Sequence, residues 1–108
     1  MKKDDLVKLI ISVPETHVDQ IIDLLLELKV GKMGDYEGCS FVYEGTGVFR
    51  PLKGATPAVG KVGKVSKVKE VKIDTFCEKK RVDEVISAIK KAHPYEEPII
   101  EISANKYV

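Results

Sequence analysis

Apolar residues recur along the chain at two spacings, and their alternation predicts its elements. Residues 6–13, Leu-Val-Lys-Leu-Ile-Ile-Ser-Val, are rich in strand-forming side chains and run into Pro14, which suits the first turn of a helix. Val18, Ile21, Ile22, Leu25 and Leu28 then follow at helical spacing, and Gly31 can end that helix in the left-handed region. Residues 36–44 return to a period of two, with Cys39, Phe41 and Tyr43 alternating against Ser40, Val42 and Glu44. The same period over 68–77 sets Val71, Ile73, Thr75 and Cys77 on one side. Val82, Val85, Ile86 and Ile89 mark a second helix, with Lys90, Lys91 and His93 near the negative end of its dipole. Pro94 stops it and pushes His93 toward an extended conformation. Ile99 to Ala104 read as a last strand.

The order β-α-β-β-α-β predicts a ferredoxin-like α+β domain spanning 1–108. Its usual form is a four-stranded antiparallel sheet with both helices on one face, which buries both apolar helix stripes together. The inward set on strand one is Val7, Leu9, Ile11 and Val13; the open face is expected to receive Ile10, Val42, Phe76 and Ile99 inside a polar rim. One segment departs from a tight hairpin. Residues 45–69, between strands two and three, carry Gly45, Gly47, Gly54, Gly60 and Gly63 with Pro51 and Pro57. A connection this long in a small domain is usually functional or mobile. In this topology His17, the 45–69 excursion and the His93-Pro94-Tyr95-Glu96-Glu97-Pro98 turn all arrive at one end of the sheet. Cys39 and Cys77 fall near the opposite end.

Composition adds limits. A chain of 108 residues with 44% apolar and 32% charged residues can build one core unaided. Net charge of +1 gives no global drive toward nucleic acid or membrane, although Lys53, Lys61, Lys64, Lys67, Lys69 and Lys72 face only Glu70 across 53–72. Near-neutral charge and sparse aromatics argue against a nucleic-acid partner. Two cysteines make neither a disulfide framework nor a zinc knuckle. The run from Met1 to Val13 is too short for a signal segment and is broken by Lys8, and no stretch approaches the ~20 apolar residues of a membrane span. The expectation is a cytoplasmic protein with reduced thiols.

The candidate chemistry sits at the glycine-rich end. Glycines let backbone N–H groups approach an anion and lysines add charge, so Gly45, Gly47, Gly54 and Lys53 are candidate contacts there. Arg50 is the strongest, since a guanidinium offers a planar fork to phosphate or carboxylate, and Tyr95 faces the same region. The segment is not a nucleotide P-loop: five residues separate Gly54 from Gly60, and Val62 stands where Ser or Thr would hold magnesium. His17, His93, Glu96 and Glu97 together could ligate a divalent metal; alternatively, His93 and Tyr95 cap the second helix. No Gly-x-Ser-x-Gly elbow exists and neither cysteine is placed near a histidine, so nucleophilic catalysis has no support.

Four motifs occur in order: Tyr36-x-x-Cys39-Ser40-Phe41, Gly45-Thr46-Gly47-x-Phe49-Arg50-Pro51, Gly54-Ala55-x-Pro57-x-x-Gly60-x-x-Gly63 and His93-Pro94-Tyr95-Glu96-Glu97-Pro98. With Pro14-Glu15-x-His17, they make the chain resemble the small insert domain of the dinuclear-metal-centre hexameric proteins, the NGG-interacting-factor-three-like group. His-Pro-Tyr-Glu is also similar to the copper-tolerance protein CutA, and both groups share the architecture of the PII signalling proteins. The resemblance implies a ferredoxin-like fold that often forms trimers. In that family the metal-binding residues belong to a larger flanking domain, so no ligand or catalytic residue is carried over. The expected function is therefore a non-enzymatic, ligand-responsive or regulatory module that binds a small anion, a nucleotide or a divalent metal. The alternative is an assembly domain that docks onto a separate dinuclear-metal-centre protein. A homo-oligomer is expected, with a trimer ahead of a dimer.

Overall fold

A computed structural model describes residues 3–108. Strands β1 (Leu6–Pro14), β2 (Phe41–Phe49), β3 (Ser66–Glu78) and β4 (Ile100–Ser103) form one sheet, with helices α1 (Val18–Glu27) and α2 (Val82–Ala92) between them. The strand order is β2-β3-β1-β4 and every pairing is antiparallel. This is the expected ferredoxin-like arrangement.

The register shows why the core forms where it does. Leu9, Ile11 and Val13 of β1 lie opposite Thr75, Ile73 and Val71 of β3, so all six point to one face. Ile21 and Leu25 of α1, with Val85 and Ile89 of α2, close over that face, and Leu9, Ile11, Val13, Ile21, Ile73, Val85 and Ile89 are fully buried. Each such side chain contributes about 1.5–3 kcal/mol, which makes this layer the main stabilising contact.

The end of α1 differs from expectation. The left-handed residue is Lys29 (φ 56°), not Gly31. Lys29 N–H donates to the Leu26 carbonyl and Val30 N–H to the Leu25 carbonyl, the paired bonds of a Schellman motif. Val30 is fully buried and packs in the core cluster with Leu25, and that burial offsets the cost of a lysine in this conformation. Gly31 serves another purpose. It also has positive φ (72°), its N–H donates to the Phe76 carbonyl at 2.8 Å, and a Cβ there would lie 2.6 Å from the Cys39 carbonyl oxygen.

Strand β2 begins five residues later than the periodicity suggests, because Gly31, Gly34 and Gly38 all have positive φ and turn the chain first. It also runs farther. Pairing continues to Phe49↔Ser66, with Gly45 opposite Glu70 and Gly47 opposite Val68. Gly45 and Gly47 are therefore extended strand residues, and the excursion shortens to residues 50–65. Glycine is permissive rather than loop-forming, and here the partner strand decides.

The β2 register also corrects the open face. Val42 pairs with buried Ile73 and so belongs to the helix side, where β2 lies beyond the helices and leaves it 42% exposed. Phe41 and Tyr43, opposite Asp74 and Lys72, take the open-face positions with Ile10 and Phe76. Ile99 lies beside β1, its carbonyl accepting the Ser12 N–H.

Two substitutions should move stability in opposite directions. Gly31→Ala is expected to cost roughly 2 kcal/mol or more, from left-handed strain plus a backbone clash. Lys29→Gly is expected to stabilise by about 0.5 kcal/mol, the strain relief of ~1–2 kcal/mol less the entropy glycine adds to the unfolded chain. Urea unfolding measures both, and equal effects would contradict the assignment of the cap.

Candidate functional site

His93 organises the end of the sheet where the sequence placed its chemistry. Pro94 leaves His93 extended (φ −73°, ψ 137°) directly after α2, and its ring is buried. Its Nδ1 accepts the Tyr95 N–H at 3.0 Å, and because an amide N–H can only donate, the ring proton sits on Nε2. Nε2–H donates to the Ser12 carbonyl at 2.7 Å, tying the turn to β1. Burial holds the His93 pKa below its ordinary value; the Ser12 bond and the Glu70 charge oppose this without reversing it.

From that anchor Tyr95 reaches β3. Its hydroxyl donates to Glu70 Oε2 at 2.9 Å, and its ring lies 5.8 Å from that of Phe49. Burial, followed by the Glu70 carboxylate, pushes Tyr95 ionisation far above the usual phenol range, so it remains a donor. Gly47 makes room for this contact: a Cβ there would collide with the Glu70 carboxyl group. Glu96 fastens the excursion by accepting the Thr56 N–H at 2.7 Å. Gly63 N–H closes the excursion on the Pro51 carbonyl at 2.8 Å, and Gly54, Gly60 and Gly63 all turn with positive φ.

Between the excursion, the turn and the sheet lies a cleft of about 490 Å³. This is within the usual range for small-molecule sites. Arg50 and Tyr95, candidate contacts, and Glu96 and Glu97, candidate metal ligands, all line it. Phe49, Leu52, Pro57, Val59 and Ile99 supply apolar wall, and Glu70 a further carboxylate. Sequence reasoning missed Glu70, yet a signal existed: it is the one acid among the lysines of 53–72.

Other candidates fall outside the lining. Gly45 and Gly47 are strand residues, Lys53 and Gly54 are exposed on the excursion, and neither histidine lines the cleft. The electrostatics also depart from an anion site, with three carboxylates around the cleft against one guanidinium. Nor do His17, His93, Glu96 and Glu97 come together as metal ligands. Both His93 nitrogens already serve the backbone, His17 Nδ1 lies 2.9 Å from Thr16 Oγ1, and Glu96 is bonded to Thr56. Among the described residues no group of three His, Cys, Asp or Glu side chains could hold a metal ion. Cys77 is buried opposite Val7, at the end of β1 away from the cleft, and burial pushes its thiol pKa up. No helix among the described residues is long and apolar enough to cross a membrane.

The neutral His93 clamp carries a pH signature. With a folded pKa below the unfolded value near 6.5, the unfolded chain takes up the proton first as pH falls. The His93 contribution is complete above about pH 6.5 and is lost as pH drops toward the folded pKa. His93→Gln should lower stability at pH 7.5 and flatten the decline between pH 7 and 5. An unchanged slope in urea unfolding across that window would contradict the clamp.

No family model matches the chain. It is 39% identical over 99 residues to the "GTP cyclohydrolase 1 type 2 homolog" of Halalkalibacterium halodurans, covering 92% of this chain and 27% of that protein. A Bacillus cereus protein described as related to NIF3 superposes with a TM-score of 0.79 at 32% identity, over 98% of this chain and 28% of that one. The Archaeoglobus fulgidus divalent cation tolerance protein CutA superposes at 0.69 and 18% identity, covering 95% and 86%; that likeness concerns the fold. The chain spans about a quarter of the length of the curated relatives it matches. It is thus similar to one quarter-length segment of NIF3-related proteins, the group its motifs resemble, and it has the CutA-like fold.

Proposed function

We propose that the chain is a non-enzymatic, ligand-responsive or regulatory module whose ligand enters the cleft between the 50–65 excursion and the His93–Pro98 turn. The carrying observation is that three segments distant in sequence close one 490 Å³ space lined by apolar walls and few polar groups. Its polar groups hold one another: Tyr95 engages Glu70 and Glu96 engages Thr56. That arrangement positions a binding wall.

Thermal shift tests this with a panel of nucleotides, inorganic phosphate, divalent metals, and small organic amines and acids. A ligand at a hundredfold excess over its Kd stabilises by about 2.7 kcal/mol, on the order of 10 °C for a domain this size. Ala58→Trp puts an indole into the lining and should abolish the shift while leaving the free protein's Tm unchanged. A panel without effect, or a shift that survives Ala58→Trp, would overturn the reading.

The open sheet face supports a second reading, an assembly domain. Phe41 is 70% and Ile99 65% exposed, and Tyr43 stands beside Phe41 with ring centres 6.2 Å apart. The ion pairs Lys8–Asp74 (3.2 Å) and Lys72–Glu101 (3.5 Å) surround them. An apolar centre inside a polar rim is the make-up of a protein contact. The same face would serve a homo-oligomer, a trimer by the family resemblance, or a separate dinuclear-metal-centre protein. Phe41→Glu adds a charge to this face and none to the core. Light scattering at tens of micromolar should report an oligomer for the unmodified chain and a folded monomer for Phe41→Glu; a monomer for both would contradict self-association.

A further inference from the structure

The charges around the cleft select among ligands. Among the described residues that line it, Glu70, Glu96 and Glu97 stand with Arg50 as the single cation. Glu70 and Glu96 take their hydrogen bonds from neutral donors, the Tyr95 hydroxyl and the Thr56 N–H, so neither is neutralised by its partner. Among the described residues neither Arg50 nor Glu97 has an ion pair within 4 Å, and no lysine is paired with any of the three carboxylates. A ligand that fills the cleft displaces the water now solvating these groups, and an unpaired carboxylate loses most when its solvent leaves. An anionic ligand would meet that loss and add repulsion. A ligand carrying positive charge would replace the lost solvation with an ion pair.

The walls set the rest of the ligand. Phe49, Leu52, Pro57, Val59 and Ile99 present apolar surface, and Leu52, Val59 and Ile99 are all exposed large hydrophobic residues. The aromatic ring of Tyr95 lies next to Glu70, and ring faces attract ammonium groups. Lys53, although on the excursion, does not line the cleft.

We propose that the cleft takes an amphipathic cation, a small molecule with an alkyl or aryl body and a primary ammonium group. This rests on the cleft being a ligand site, as argued above. The body lies along the Phe49–Leu52–Val59 wall, and the ammonium pairs with the Glu70 and Glu97 carboxylates.

Three probes of one shape separate the claims: 4-phenylbutylamine, 4-phenylbutanol and 4-phenylbutanoate, titrated into the ¹⁵N-labelled chain. Amide shifts confined to 50–59 and 95–99 report binding in the cleft. The amine is expected to bind at least tenfold tighter than the alcohol, and the carboxylate weakest. Glu97→Gln should cut the preference of amine over alcohol several-fold, and Arg50→Gln should increase it; both side chains are exposed, and the fold should tolerate both changes. If alcohol or carboxylate binds there as tightly as the amine, the charge inference fails while the cleft remains a ligand site. If no probe shifts these amides, the ligand-site reading fails and takes this inference with it.

Discussion

One imidazole holds the functional end of this domain together. Among the described residues, His93 alone joins the turn after α2 both to itself, through the Tyr95 N–H, and to the central strand β1, through the Ser12 carbonyl. Each bond requires one specific nitrogen state, so the ring must be neutral with its proton on Nε2. The position of Tyr95 follows from that ring. From Tyr95 the constraint passes to Glu70 on β3, and from the neighbouring Glu96 to Thr56 on the excursion. The cleft exists because these links hold a glycine-rich segment against a rigid sheet.

The neighbouring strand is shaped to the same end. Extended glycines in β2 carry no side chains, and at Gly47 that absence is what lets Glu70 lie across the strand toward Tyr95. Gly47 in the Gly45-Thr46-Gly47 motif is therefore a space requirement of the site rather than part of a loop that wraps a ligand. This separates two uses of glycine in one chain. Gly54, Gly60 and Gly63 supply positive φ in the excursion, while Gly47 supplies room.

Much of the fold was legible because burial imposes a period on the sequence. The alternation in β1 and β3 and the helical spacing of Ile21, Leu25, Val85 and Ile89 each point at the same core, and the structure buries all four helix residues. Strand β2 was harder. It lies at the sheet edge beyond the helices, so neither face is fully buried and its alternation does not say which side is inward. A one-residue shift of assignment put Val42 where Phe41 and Tyr43 belong. Arg50, Tyr95, Glu96 and Glu97 line one cleft because topology brings their segments to one end. Glu70 escaped because its role depends on a cross-strand contact that no local pattern records. The two backbone partners of His93 were hidden for a similar reason: a histidine's free nitrogens are countable only once its contacts are known.

The most direct test of the His93 clamp is its protonation state, read from the ¹⁵N signals of the imidazole near pH 7. One nitrogen, Nδ1, is expected to show the signature of an unprotonated acceptor, and the other, Nε2, a slowly exchanging proton. A ring that averages between tautomers, or is already cationic at that pH, would contradict it.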